Sequence, residues 1–418
     1  MGKNLARLFL LLLCSLTNSS LKAQHMDTVY LDSLLQAHPE YFADILNHPQ
    51  QHEVQILYTR IDRDINNIPL FSSFAYRLDP TRYFYPASTV KLPTAIFALE
   101  KINALNIKGL RKETALRIDS AFERQTQVLH DTSAANGLPS IAHYIKKVLL
   151  TSDNDAHNRL FEFVGRAEVN AKLKQHGTQY SRIVNRLAVG DKGLWSKHSN
   201  PMSFYAGKKT IYKQAAQYDA QDYNMPWLKN TQQGIGYMNA ADELVMSPWS
   251  FEGLNVFALV DQQLLLKKLL FPEAFPKSAQ FNLTAEDYNF LYKYMSRSPQ
   301  ETDYPKYSQE EFWPTYSKFL LFGRDKSLTG FDSIRSFNKY GDSYGYNIDN
   351  AYIVDFENGV EFLLAVVVQA NENNIYNDGI YEYETVTYPF MKNMGQLLYQ
   401  EELKRVKKQK SNLSKFKF

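Results

Sequence analysis

The first candidate for covalent chemistry is a serine that lies three residues before a lysine. Ser88 and Lys91 begin a predicted helix over 88–103. Residues three apart on a helix share one face, so the two side chains can reach each other. A serine hydroxyl becomes nucleophilic when a base removes its proton, and a lysine whose pKa is lowered by burial can do this. The pair alone is ambiguous, because an N-capping serine beside a surface lysine has the same spacing.

A second serine lies in Ser152-Asp153-Asn154, between two predicted helical stretches over 141–150 and 158–164. Such a serine can relay a proton to a leaving group, and the Asn154 amide can hold the amide of a substrate. The structural alternative is an N-cap followed by turn residues.

A third group, Lys339-Tyr340-Gly341, is predicted at the end of a strand over 334–339 and is followed by Asp342. The Lys339 ammonium would point into a groove and attract a substrate carboxylate. Gly341 would let a substrate backbone lie against the strand edge. The alternative is an edge-strand lysine that discourages aggregation.

The order Ser-x-x-Lys, Ser-Asp-Asn and Lys-x-Gly resembles the signature of class A β-lactamases and penicillin-binding proteins. The matching stretches are 53–103, 149–164 and 334–369. This resemblance implies a serine hydrolase that forms an acyl-enzyme and uses neither a metal nor an organic cofactor.

By that resemblance, Ser88 is the nucleophile, Lys91 is its base or proton relay, and Ser152 shuttles protons. The backbone N–H groups of Ser88 and Asp342 would form the oxyanion hole. The resemblance also implies substrate-binding residues that line the groove. Asn154 positions the substrate and Lys339 provides positive potential. The others are Tyr340, Gly341 and Asp342.

The sequence departs from the family pattern in two places. Class A β-lactamases release the acyl group with a glutamate in a Glu-x-x-Leu-Asn context, whereas 180–193 contains no glutamate and one acid, Asp191. Asp191 is therefore the candidate substitute base, and without a base the acyl-enzyme should be long-lived. Tyr340 also replaces a small hydroxyl residue, and the Asp342 carboxylate weakens the attraction for an anionic substrate.

Strand patterns lie at both ends of the chain, and helical patterns lie between them. A hairpin is predicted from strands over 53–63 and 70–78, and three more strands are predicted over 334–339, 351–356 and 360–369. We therefore expect an α+β fold: one antiparallel sheet formed from both chain ends and covered by helices, with an inserted, mostly helical lobe. The active site would lie in the groove between sheet and lobe.

The expected hydrolase domain covers 24–403, with its sheet at about 48–87 and 330–403 and its helical lobe at about 104–300. A polar, aromatic stretch over 177–239 is expected to form loops or an insertion. Further helices are predicted over 30–47, 254–271, 284–297 and 383–403.

The N-terminus has the pattern of a secretory signal. A positively charged start precedes an apolar run over 8–13 and a small residue, Ala23. The run is too short to span a bilayer. We therefore expect a signal peptide over 1–23 and a secreted, periplasmic protein. A lipid anchor on Cys14, the only cysteine, is the alternative.

Basic residues concentrate in the signal and in a tail over 404–418, which leaves the rest of the chain acidic although the formal net charge is +3. An acidic body argues against nucleic acid as a partner. The tail could contact anionic envelope polymers or lipid headgroups, but a frayed, solvated end is the favoured interpretation.

Three functions stay open at this point. The first is a serine hydrolase that opens a β-lactam or a related small amide through Ser88. The second is a D-Ala-D-Ala peptidase, or an envelope amidase or esterase, that acts on peptidoglycan-derived substrates, and the missing glutamate favours it. The third is a non-catalytic binding protein on the same scaffold, against which the intact Ser88 and Lys91 argue.

Overall fold

A computed structural model describes residues 26–328 and 333–418. The predicted signal peptide over 1–23 and Cys14 therefore lie outside the described residues. Within this part of the chain, none of the helices combines the length and the apolar character that a membrane span requires.

One five-stranded antiparallel sheet is formed from both ends of the chain, as predicted for the α+β class. Its strands are β1 Gln55–Arg63, β2 Pro69–Tyr76, β3 Ile334–Ser343, β4 Tyr346–Asp355 and β5 Val360–Gln369, in the spatial order β3-β4-β5-β1-β2. β4 and β5 are buried along their whole length because helices cover both faces of the sheet.

Helices pack on both faces of this sheet. In the described residues they are α1 Val29–Gln36, α2 Pro39–Asn47, α3 Lys91–Leu105, α4 Ile141–Thr151, α5 Asn154–Val164, α6 Arg166–Gln175, α7 Leu259–Leu270, α8 Ala285–Ser296 and α9 Tyr388–Lys404. The core under α1, α2 and α9 is separate from the core that α3 to α8 share. The single helix predicted over 30–47 is two helices, because Pro39 begins α2 and cannot continue α1.

The stretch predicted as loops or an insertion contains short strands rather than helices. Short strands outside the main sheet are Ala115–Ile118, Ser181–Arg182, His198–Ser199, Met202–Ala206, Lys209–Gln214, Gln217–Tyr218, Gln232–Gln233, Gly236–Met238, Leu244–Val245, Trp249–Ser250, Val256–Phe257 and Ile375–Tyr376. Most are too short for an apolar alternation to show in the sequence. The helix predicted from 254 begins only at Leu259, because Val256–Phe257 pairs as a strand.

β3 is longer than predicted, so the prediction that Lys339 ends a strand is wrong. β3 and β4 pair over ten residues, from Ile334 opposite Asp355 to Ser343 opposite Tyr346. The polar residues within β3 hide this pairing in the sequence. The two-residue turn, Tyr344-Gly345, has positive φ at both positions, as a tight hairpin requires.

The basic tail is docked, so the favoured interpretation of a frayed end is wrong. Phe416 is 1% exposed. Its ring lies 4.9 to 5.9 Å from four other rings, those of Tyr352, Phe337, Tyr292 and Phe271. The Lys415 ammonium lies 2.7 Å from the Glu273 carboxylate. The sequence concealed this contact because lysines surround the two apolar anchors, Leu413 and Phe416.

Phe416→Ala should lower the free energy of unfolding by about 3–5 kcal/mol, because it leaves a cavity between packed rings. The matched control is Phe418→Ala, whose side chain is 50% exposed and whose loss should change stability by no more than about 0.5 kcal/mol. Urea unfolding of both variants measures the difference. Equal stability of the two variants would show that the tail does not contribute to the core.

Candidate active site

A strained turn presents Ser88 at the start of α3. The residues Ala87–Val90 form a single 3₁₀ turn that leads directly into the helix. Ala87 has φ 46°, in the left-handed region that costs a non-glycine residue about 1–2 kcal/mol. Ser88 is partly exposed although Ala87 and Thr89 are buried. Strain of this kind is typical of positions that must present one side chain.

The Lys91 side chain is fully buried and joins the first two motifs. Its Nζ donates to Asn154 Oδ1 at 2.6 Å, to Ser152 Oγ at 3.1 Å and to the Ser152 carbonyl oxygen. Burial lowers the pKa of Lys91 to about 7, although the charges of Asp153 and Asp342 oppose the shift. A large neutral fraction near pH 7 makes Lys91 a competent proton acceptor.

Ser152 lies in the link between α4 and α5. It ends α4 with φ 61°, and Asp153 then caps α5 by accepting from the Ala156 N–H at 2.7 Å. Lys339 Nζ donates to Ser152 Oγ at 2.9 Å. The side-chain nitrogens of two lysines therefore contact one hydroxyl oxygen.

Lys339 does not extend freely into a groove as predicted. Its side chain is buried, and its Nζ donates to Ser152 Oγ and, at 2.8 Å, to the Tyr340 carbonyl oxygen. Burial and the nearby Lys91 ammonium lower its pKa well below the usual value. Lys339 therefore contacts Ser152, the serine of the second motif.

Gly341 brings β3 against the turn that carries Ser88. A Cβ atom at this position would lie 2.7 Å from the Ser88 backbone nitrogen and 3.0 Å from Ala87 Cβ. Only glycine allows this approach. The Ser88 nitrogen therefore lies against β3 at the residue before Asp342, whose N–H is the implied second donor of the oxyanion hole.

The Tyr340 side chain is buried beside Lys339, whose Nζ lies 4.1 Å from the centroid of the tyrosine ring, and a contact of Tyr340 with substrate stays a prediction. Its side chain is 3% exposed, and its ring packs 4.5 Å from that of Phe319. Burial and the Asp342 charge raise its pKa well above the usual value. The segment before β3 covers this tyrosine, which explains why a bulky residue is accommodated here.

Asp342 faces a cation that the sequence did not reveal. Its carboxylate lies 3.5 Å from Arg324 Nη1 and 3.4 Å from the Tyr388 hydroxyl. The Arg324 guanidinium lies over the rings of Tyr316 and Trp313, at 4.4 and 4.9 Å from their centroids. No motif surrounds Arg324, and only the tertiary fold brings it beside β3.

His157 is a second residue that sequence reasoning missed. Its Nδ1 lies 3.1 Å from Thr94 Oγ1, which donates at 2.8 Å to the Lys91 carbonyl oxygen. Since the Thr94 proton is used there, His157 Nδ1 must be the donor. Burial and the charge of Lys91 lower the pKa of His157 well below its usual value, so a neutral imidazole connects α5 to the start of α3.

Asp191 is not a substitute base, so that prediction is wrong. Its carboxylate is fully buried, and it accepts from the Arg186 backbone N–H at 2.6 Å and from Arg186 Nη1 at 3.2 Å. In the same loop Leu187 is tied to α5, because its N–H donates to Asn158 Oδ1 at 2.8 Å and its carbonyl accepts from Asn158 Nδ2. The loop therefore keeps both Leu187 and its only acid inside.

The described residues contain no group of three or more histidine, cysteine or acidic side chains placed to hold a metal. The structure thus brings together Ser88, Lys91, Ser152, Asn154, Lys339, Gly341 and the backbone of Asp342. These residues can remove a proton from a serine, bind an oxyanion and return a proton to a leaving group.

Residues 41–234 match the model of the beta-lactamase enzyme family, which covers the first two motifs but not the third. No curated protein matches the chain. The match confirms the resemblance to serine hydrolases of the β-lactamase type.

Three solved structures are similar to most of the chain. The beta-lactamase of Sphaerobacter thermophilus DSM 20745 is 14% identical, with 88% of this chain and 97% of that chain covered and a TM-score of 0.47. That of Desulfarculus baarsii DSM 2075 is 13% identical, with 89% and 98% covered and a TM-score of 0.48. PBP-A is 15% identical, with 88% and 97% covered and a TM-score of 0.45. At these values the likenesses carry no conclusion about activity or substrate.

Proposed function

We propose that this chain is a serine hydrolase that opens a β-lactam or a related amide through an acyl-enzyme on Ser88. The observation that carries the proposal is the convergence of Lys91 and Lys339 on the Ser152 hydroxyl, beside the strained turn of Ser88. A binding protein would have no need of two buried lysines whose Nζ atoms converge on one serine hydroxyl beside a strained turn, because burying them there is costly without a chemical role.

In the proposed reaction, neutral Lys91 accepts the Ser88 proton while Ser88 Oγ bonds to the carbonyl carbon of the amide. The N–H groups of Ser88 and Asp342 bind the resulting oxyanion. Ser152 donates its proton to the amide nitrogen and regains one from the lysines, so that the C–N bond breaks. An ester on Ser88 remains, and water later hydrolyses it to the acid and the free hydroxyl.

A second candidate is a D-Ala-D-Ala peptidase acting on peptidoglycan-derived substrates. The observation that favours it is the loop beside α5, in which Asp191 is buried and Leu187 is fixed against Asn158. Such a loop offers no carboxylate to activate a hydrolytic water, so a β-lactam should form an ester that persists.

The rate of Ser88 acylation should rise as the pH increases through about 7 and level off above it. The reason is that only neutral Lys91 accepts a proton, and burial sets its pKa at about 7. Stopped-flow acylation by a chromogenic cephalosporin from pH 5.5 to 9 measures the profile. A rate that is constant over this range would exclude Lys91 as the base.

We also propose that the chain is exported, because 1–23 has the pattern of a secretory signal. The tail keeps exposed lysines, such as Lys404 and Lys408, that could contact an anionic envelope surface weakly. Mass spectrometry of protein recovered from the periplasm should show an N-terminus at Gln24. An intact Met1 would contradict export by cleavage.

The experiment that separates the two candidates compares loss of a cephalosporin with release of D-alanine from an acyl-D-Ala-D-Ala peptide. Ser88→Ala is the control in both assays. Ser88-dependent turnover of the cephalosporin supports the first candidate, and Ser88-dependent release of D-alanine supports the second. Turnover that survives in Ser88→Ala would contradict both.

A further inference from the structure

We propose that an aromatic ledge beside Ser88 binds the acyl part of the substrate and selects amides whose acyl group carries a flat, apolar substituent. This inference rests on the proposed function, because it assigns one substrate group to the same site. The ledge consists of four partly exposed rings over one buried ring: Tyr85, Tyr237, Trp249 and Tyr344, with Phe251 beneath them.

The rings of the ledge contact one another continuously. The Tyr344 centroid lies 4.8 Å from both the Tyr85 and the Trp249 centroids. Tyr237 stacks on Trp249 at 5.5 Å, and Phe251 supports Trp249 from 5.2 Å. Aromatic rings arranged in this way form a surface on which another flat ring can stack.

Two residues of the ledge lie close to Ser88 and Gly341 in the chain, where β3 contacts the turn of the nucleophile. Tyr85 lies three residues before Ser88, and Tyr344 lies in the turn directly after the end of β3. Gly341 itself lies against the Ser88 backbone nitrogen. The ledge is therefore continuous with the site of acyl transfer.

The orientation that the reaction requires of the substrate places its acyl group on the side of the ledge. The leaving nitrogen must face Ser152, which contacts β3 at Lys339. The acyl group must then extend the other way along β3, past Gly341 toward Tyr344. At roughly 3.3 Å per residue, the strand continues about 7 Å beyond Gly341 to Ser343, within the reach of one acyl side group, and Tyr344 follows in the turn.

The segment over 225–251 holds the ledge in place. The Lys229 N–H donates to the Thr81 carbonyl at 2.8 Å, and the Lys229 carbonyl accepts from the Tyr83 N–H at 2.9 Å. Trp249 pairs in register with Gln233 in a short strand pair. The rings are thus fixed before substrate arrives, which favours a rigid planar group over a flexible polar one.

The test uses two thioesters that share one leaving thiol and differ only in the acyl group, phenylacetylglycyl or acetylglycyl. The wild type should be acylated by the phenylacetyl compound about 10- to 100-fold faster. Trp249→Ala should reduce this preference to about threefold or less and change acylation by the acetyl compound little. Trp227→Ala is the matched control, because Trp227 lies in the same segment over 225–251 and packs on Tyr180 outside the ledge.

A second measurement does not depend on acylation. In Ser88→Ala, calorimetry should show tighter binding of phenylacetylglycine than of acetylglycine, and adding Trp249→Ala should remove the difference. If Ser88 is acylated by both thioesters at the same rate, and calorimetry shows equal binding of the two acids, the ledge is overturned and the proposed function stays intact. Selective binding without any acylation of Ser88 would support the ledge and overturn the proposed function. The absence of both would overturn both.

Discussion

Replacing Lys91 by methionine should lower the rate of Ser88 acylation by about 10²–10⁴-fold, the usual contribution of a general base. Methionine fills a similar volume, and the Lys91 side chain is completely buried, so the fold should be retained. The variant no longer desolvates an amine but leaves the acceptors on Asn154 and Ser152 unpaired, so thermal unfolding is measured beside its activity. The measurement is the second-order rate constant of acylation by a cephalosporin.

Lys101→Met is the matched control for this prediction. Lys101 belongs to the same helix, and burial lowers its pKa to about 8. Its Nζ donates to Gln214 Oε1 at 2.7 Å and to the Val164 carbonyl oxygen at 3.2 Å, and none of these contacts involves Ser152. Acylation should therefore be unchanged in Lys101→Met. If both variants lost the same factor in acylation rate, Lys91 would support acylation only by stabilising the fold.

Replacing Gly341 by alanine should lower acylation by about 10²–10³-fold, the usual effect of losing one oxyanion donor. The added Cβ would lie 2.7 Å from the Ser88 nitrogen, so either β3 or the turn must move. That movement separates the two N–H groups that are proposed to bind the oxyanion. Lys91 and Ser152 keep their own contacts, so the pH dependence of the remaining rate should be preserved.

Gly253→Ala is the control for Gly341→Ala, because a Cβ at position 253 meets no atom within 4 Å. Its acylation rate should equal that of the wild type. Thermal unfolding of both variants separates loss of the site from loss of the fold. Unimpaired acylation in Gly341→Ala would contradict the proposed oxyanion hole.

The chemistry of the site could be predicted from the sequence because it resides in three short motifs. Lys91, Ser152 and Asn154 meet as expected, and Ser88 lies in the turn that leads into the helix of Lys91, since each motif is placed by a local helix start or helix link. The antiparallel sheet from both chain ends was also predictable, because apolar runs such as that of β5 are long and uninterrupted.

The remaining features depend on tertiary contacts that no local pattern encodes. Arg324 and His157 reach the site only through the fold, and Tyr340 is buried because a distant segment covers it. Asp191 was wrongly assigned because residue type alone cannot show that its carboxylate is paired inside its loop. Phe416 was missed because the lysines of the tail conceal its two apolar anchors, Leu413 and Phe416.

The central claim, an acyl-enzyme on Ser88, is tested most directly by intact-protein mass over time with a penicillin and a cephalosporin. We predict that the wild type gains the full mass of the β-lactam, that peptide mapping places the adduct on Ser88, and that Ser88→Ala gains nothing. Persistence of this adduct would agree with the buried acid of the Asp191 loop. An unchanged mass together with unchanged drug, or an adduct that also forms on Ser88→Ala, would contradict the account.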